Sequence, residues 1–166
     1  MNPLAHPAMR LAIDASRAAL AQGDAPYGAV LVSAAGQVLL VAQNNQNTSG
    51  DCTGHAEMVL VRRAQAELGA HALRGATVYA SGEPCAMCAG ALFWAGVGEV
   101  VFAAAQPDMA AAAGGALLPA RCADVLAAAE PPVPVMGGVL AAEALAVIAQ
   151  ARRHQDAPPS HAEGCP

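Results

Sequence analysis

Lysine is missing from this chain, and the Lys+Arg total of 8 faces an Asp+Glu total of 13, for a net charge of −5 at pH 7. A protein that grips a polyanion must neutralise several phosphates, so a basic cluster is the footprint to look for. None is present. Arg62-Arg63 and Arg152-Arg153 are isolated pairs that read as solvated helix faces, and nucleic acid is disfavoured as the main partner. Aromatics make up only 3% of a chain that is 55% hydrophobic, so alanine, valine and leucine must build the interior. No uncharged stretch is long and apolar enough to span a bilayer, because Pro26–Asn47 is broken at Gly36-Gln37 and ends in amides. Arg10, Asp14 and Arg17 interrupt the early apolar run and argue against an export segment. The 5 cysteines are an odd number, which does not suggest a disulfide framework. A reducing, cytoplasmic compartment is the expectation, with Cys122 and Cys165 as ordinary thiols.

At 166 residues the chain is long enough for one domain with a proper core, expected over residues 1–155, with 156–166 as a disordered tail. Apolar residues at helical spacing over Pro7–Gln22, closed by Gly23, predict an amphipathic helix. Ala29–Val32 and Val38–Ala42, separated by Ala35-Gly36, predict a hairpin of buried strands. Asn44–Gly50 reads as a loop leading to a helix that starts at His55 and ends near Leu68-Gly69. Thr77–Ser81 reads as a strand, Cys85–Ala95 as a helix and Glu99–Ala103 as a strand. Short connections between them require a right-handed crossover and parallel pairing. Met109–Leu118, rich in alanine and glycine, shows no clear period. Arg121–Ala129 and Ala141–Arg153 predict helices, and Val133–Met136, flanked by prolines, an edge strand.

Two short segments carry the chemistry: Thr53-Gly54-His55-Ala56-Glu57 and Ser81-Gly82-Glu83-Pro84-Cys85-Ala86-Met87-Cys88. Cys85 and Cys88 are three apart, so at a helix start both sulfurs face the same way. The free N–H groups and positive dipole end there favour thiolates. Two thiolates and an imidazole suit Zn²⁺, and a catalytic zinc keeps a fourth position for water whose pKa it lowers. Glu57, two residues beyond His55, is placed to move protons beside the metal without ligating it. A second arrangement stays open at this point. Cys52, three residues before His55, would supply a fourth ligand and close the site as a structural one.

The joint pattern His-x-Glu…Pro-Cys-x-x-Cys resembles the signature of zinc-dependent nucleobase deaminases, and the chain is similar to the cytidine deaminase superfamily over most of its length. The resemblance implies a three-layer α/β/α fold with a central mixed sheet of about five strands flanked by helices. Val41-Ala42-Gln43-Asn44-Asn45, Gly90-Ala91-Leu92-Phe93-Trp94 and Pro26-Tyr27-Gly28-Ala29 resemble the bacterial guanine deaminase branch. That branch implies hydrolytic deamination of guanine to xanthine and ammonia. Cytosine, nucleosides, aminotriazines and tRNA adenosine are the competing substrates. It also implies a zinc ion on His55, Cys85 and Cys88, Glu57 as the catalytic acid–base and Glu143 as a second proton carrier. Asn44 and the Ala56 N–H would hold the base, Tyr27 and Trp94 would flank its ring, and Asp108 would read its edge. Each of these has a structural use as well. Asn44 could cap a turn, Asp108 a helix beginning at Met109, and Glu143 a helix's first turn, while Tyr27 and Trp94 could be core. Relatives in the branch imply a homodimer. The sequence departs from the family at Cys52 and Gly54, where proline and alanine are common.

Overall fold

A computed structural model describes residues 5–114 and 118–156, without the side chains of 152–156. The predicted tail at 157–166 and part of the unassigned stretch, 115–117, lie outside the described residues. The elements run in order as α1 (Ala5–Ala21), β1 (Gly28–Val32), β2 (Val38–Gln43), the single turn α2 (Gln46–Ser49) and α3 (Ala56–Glu67). They continue with β3 (Thr77–Gly82), α4 (Ala86–Trp94), β4 (Glu99–Ala104), α5 (Gln106–Ala113), α6 (Cys122–Ala127), β5 (Val135–Met136) and α7 (Ala141–Asp156).

The strands form a 5-stranded sheet in the order β2-β1-β3-β4-β5. β1 is antiparallel to β2 and β3, whereas β3–β4 and β4–β5 are parallel. The mixed sheet and the parallel crossover through α4 agree with the α/β reading. β1 is an inner strand covered on both faces: Ala29 and Leu31 face one helical layer and Val30 the other, so every residue of Gly28–Val32 is buried. On one face Leu31, Val78 and Val100 pack with Leu60 of α3, Leu92 of α4 and Leu126 of α6. On the other, Val30, Tyr79 and Val101 pack with Met9 and Ile13 of α1 and Ile148 of α7. Side chains are small throughout, and α1 comes so close to β1 that a Cβ at Gly28 would meet the Ala12 carbonyl oxygen.

Boundaries differ from the sequence expectation where capping decides them. His55 and Cys85 are the extended residues that precede α3 and α4 rather than their first helical residues. The Asn44–Gly50 loop contains α2, whose backbone N–H groups at Asn47 and Thr48 are held by the Asp24 carboxylate. The edge strand shrinks to Val135–Met136. The last predicted helix runs on to Asp156. α5 begins at Gln106, so Asp108 sits inside its first turn and does not cap a helix starting at Met109.

Candidate active site

The site lies where β3 ends and where α3 and α4 begin, the position at which open α/β sheets gather ligand groups. His55 precedes α3 and Cys85 precedes α4, while Cys88 stands in the first turn of α4. His55 Nδ1 is 3.7 Å from Cys85 Sγ and 3.6 Å from Cys88 Sγ, and the two sulfurs are 3.7 Å apart. Tetrahedral zinc at about 2.3 Å from sulfur and about 2.0–2.1 Å from nitrogen would set S···S near ~3.8 Å and S···N near ~3.5–3.6 Å. The triangle fits that ion. Contact between the two cysteines pulls the Cys85 thiol down to about 4 and pushes Cys88 up. The Cys85 contact likewise raises His55. Metal ligands bind deprotonated, so a dication held here would displace the protons these groups carry.

The described residues offer this cluster three ligands and no fourth. Cys52 is exposed and lies outside the triangle, and its carbonyl accepts from Gln46 Nε2 at 3.0 Å. The closed structural arrangement therefore lacks its fourth donor. Glu57, in the first turn of α3, is buried and sits beside Cys88, and burial raises its carboxyl above the usual range. A carboxyl beside the triangle and outside the ligand set is placed to carry a proton.

These groups open onto a cavity of about 260 Å³ lined by His55, Glu57, Cys85, Tyr27, Gln46 and Glu83, with Gln106, Met109 and Leu118 on the far wall. That is below the ~300–1,000 Å³ common for drug-sized ligands and suits one small heterocycle. Tyr27 and Met109 close over Gly82, where an added Cβ would come within 2.6 Å of Met109 Sδ and 3.1 Å of the Tyr27 ring. Burial raises the Tyr27 phenol.

The family model for the cytidine and deoxycytidylate deaminase zinc-binding region matches residues 4–104, a span that holds the whole triangle and Glu57. The chain belongs to this family. The chain is 45% identical over 87 residues to the guanine deaminase of Bacillus subtilis (strain 168), which is 52% of this chain and 55% of that protein. It is 41% identical over 99 residues to the tRNA-specific adenosine deaminase of the same organism, 60% of this chain and 61% of that protein. The chain thus spans little more than half the length of these curated relatives. A crystal structure in complex with 2,6-diaminopurine superposes with a TM-score of 0.79 at 27% identity, over 88% of this chain and 80% of that chain. The matched zinc-binding region contains the triangle, in which His55, Cys85 and Cys88 could hold a metal ion.

Within this deaminase domain the structure gathers some of the expected residues and leaves others apart. Tyr27 and Glu57 line the cavity. Ala56 is buried and opens α3, so its N–H has no acceptor in the preceding turn. Asn44 is buried, but Gln46 occupies both ends of its amide: Asn44 Nδ2 donates to Gln46 Oε1 at 2.8 Å, and Asn44 Oδ1 accepts from Gln46 N at 3.0 Å. It is Gln46 that reaches the cavity. Trp94 is 85% exposed at the end of α4, edge-on to Phe93, and does not line the cavity. Asp108 is exposed and also off the cavity wall. Glu143 lies on α7 at 3.8 Å from Arg10, a pair exposed enough to contribute little. Its distance from the cavity follows from α7 packing on the opposite face of the sheet from α3 and α4.

The sequence reading passed over Glu83 and Gln106. Glu83 stands inside the Gly82-Glu83-Pro84-Cys85 segment, but its partner, Arg121, is 38 residues away along the chain. Gln106 sits in a bland alanine-rich context, and its buried Oε1 has no hydrogen-bond partner among the described residues. A buried carbonyl left so costs about 1–3 kcal/mol.

Proposed function

We propose that the protein is a hydrolytic deaminase of a small free base, with guanine as its substrate and xanthine and ammonia as products. The observation that carries the reading is a zinc-sized triangle of His55, Cys85 and Cys88 with a buried, non-ligating Glu57 beside it, opening on a cavity the size of one heterocycle. When bound, zinc supplies an activated water at the corner its three protein ligands leave free. Glu57 takes a proton from the attacking water on a carboxylate oxygen. It hands that proton to the ring nitrogen beside the amino-bearing carbon, then takes the second proton from the hydroxyl now on that carbon and gives it to the departing amine, so that ammonia leaves and a carbonyl remains. The Ala56 N–H faces that amine. Tyr27 lies along the ring, the amides of Gln46 and Gln106 offer polar contacts, and Met109 and Leu118 exclude water. Asn44 acts by fixing the Gln46 amide, while Trp94, Asp108 and Glu143 take no part within a single chain.

Two findings support a purine over a pyrimidine. The similarity to a guanine deaminase reaches 45%, and the neighbour of TM-score 0.79 holds 2,6-diaminopurine. The net charge of −5 disfavours tRNA as substrate. Ammonia release from guanine, cytosine, adenine, their nucleosides, aminotriazines and tRNA tests the reading. Guanine is expected to be fastest. Release from tRNA alone, or from nothing, overturns it.

We also propose a homodimer in a cytoplasmic, reducing compartment, where Cys85 and Cys88 stay unoxidised. Among the described residues no helix is long and apolar enough to cross a membrane. Support for the dimer comes from α4, where Met87, Gly90, Ala91 and Trp94 follow one another at helical spacing on its outer side, with Met87 and Trp94 exposed. Trp94→Asp should convert a dimer to a monomer by light scattering. A parent that already runs as a monomer would refute the proposal.

A further inference from the structure

The Glu83 side chain sits in the loop between β3 and Cys85, buried, with four neighbours on one carboxylate. It accepts the backbone N–H of Gln106 at 2.9 Å and of Cys122 at 3.1 Å, and Arg121 Nε at 2.8 Å and Nη2 at 2.6 Å. Gln106 and Cys122 are the first residues of α5 and α6, so a single acid satisfies the leading free amide of two helices. Arg121 adds a forked, charge-assisted contact. The Glu83 backbone N–H donates to Ala104 O at 2.8 Å, which ties the same loop to the end of β4. Gln106 and Met109 of α5 line the cavity together with Glu83 and Cys85. Gln106 Nε2 also donates to Pro84 O at 3.3 Å, so the wall and the metal-ligand loop are joined at Glu83 and again at Pro84.

We propose that the Glu83–Arg121 pair is a positioning device that sets the width of the cavity by holding the start of α5 against the loop carrying Cys85. Of the pair, Glu83 lines the cavity and Arg121 is not among its lining residues. Glu57 and Cys88 stand in the first turns of α3 and α4, and His55 and Cys85 immediately before them, on helices packed against the sheet through Leu60 and Leu92. Loosening the anchor leaves the chemical step alone and makes each incoming base order the wall on binding, which lowers affinity. For its kinetic readout the inference rests on the base-deaminase reading above.

The test uses the full chain with Arg121→Ala and Arg121→Lys. The Arg121 side chain is 38% exposed, so neither change hollows the core. Arg121→Ala should raise KM for the best base about tenfold with kcat within about twofold, the pattern of lost uniform binding. Arg121→Lys, a point charge without the fork, should fall between parent and alanine variant. Amide exchange at Gln106 and Cys122 should speed up about tenfold in Arg121→Ala, because those N–H groups donate to Glu83. The visible spectrum of the cobalt-substituted variants should match the parent. Unchanged KM overturns the proposal, and so does a fall in kcat together with a shifted cobalt spectrum, which would assign the pair to the metal cradle. Should Arg121→Ala fail to fold, Arg121→Lys alone must still show the raised KM. If the parent releases ammonia from no base, the functional reading fails by itself. Exchange at Gln106 and Cys122 then decides the anchor, unchanged rates refuting it.

Discussion

Replacing Glu57 by glutamine separates proton transfer from everything else in the site. The side chains are nearly isosteric, and Glu57 is not one of the three ligands, so zinc stoichiometry should hold at one per chain. Removing a positioned acid–base costs about 10²–10⁴-fold, equivalent to about 3–5 kcal/mol of barrier. The fold should gain slightly from the change. Burial raises the Glu57 pKa above its ordinary value of 4.5, so its carboxyl favours folding at low pH and loses that contribution as pH rises through the folded value. In metal-free protein near neutral pH, Glu57→Gln should therefore melt no lower than the parent, and the gap should close on acidification. Ammonia release measured beside metal content by atomic emission gives the decisive pair. A Glu57→Gln protein that binds zinc and turns over within tenfold of the parent refutes the assigned role, and one that loses zinc refutes the statement that Glu57 is not a ligand.

Cys85→Ser and Cys88→Ser should each lose stoichiometric zinc and turnover, while Cys52→Ser, being exposed, should keep both; zinc loss in Cys52→Ser would restore the closed-site arrangement. Gly28→Ala places a methyl against the Ala12 carbonyl and within 2.7 Å of Ala15 Cβ. As α1 backbone cannot yield there, the cost should reach about 3 kcal/mol, or ~6–12 °C in Tm, and a shift under 2 °C in calorimetry would contradict that packing. Asp24 is pushed up by burial but held below its ordinary 3.8 by the stronger pull of hydrogen bonds from Thr48 and Asn47. Its stabilisation is full above that value and fades as pH falls through the folded pKa. Asp24→Ala should cost about 1–2 kcal/mol near neutral pH and nothing in strong acid, by denaturant titration at both.

The chemistry was legible from the residues because it rests on local spacing. His55 with Glu57, and Cys85 with Cys88, sit at helix starts that their own sequences announce, and so the triangle and its proton carrier could be named before any fold. The unbroken apolar run Ala29–Val32 and the short links around α4 likewise dictate a sheet with helices on both sides. What encloses the base depends on contacts between distant parts of the chain. Glu83 and Arg121 meet across 38 residues, and Gln46 lines the cavity while Asn44 is hydrogen-bonded to its side chain and backbone. Trp94 points to solvent, and Glu143 falls on the far side of the sheet, since a helical period says which face is apolar but not which layer will cover it. A metal site needs only the right atoms at helix ends, which one segment can specify. A cavity wall needs two segments to stop at a particular separation, and only the packed chain decides that.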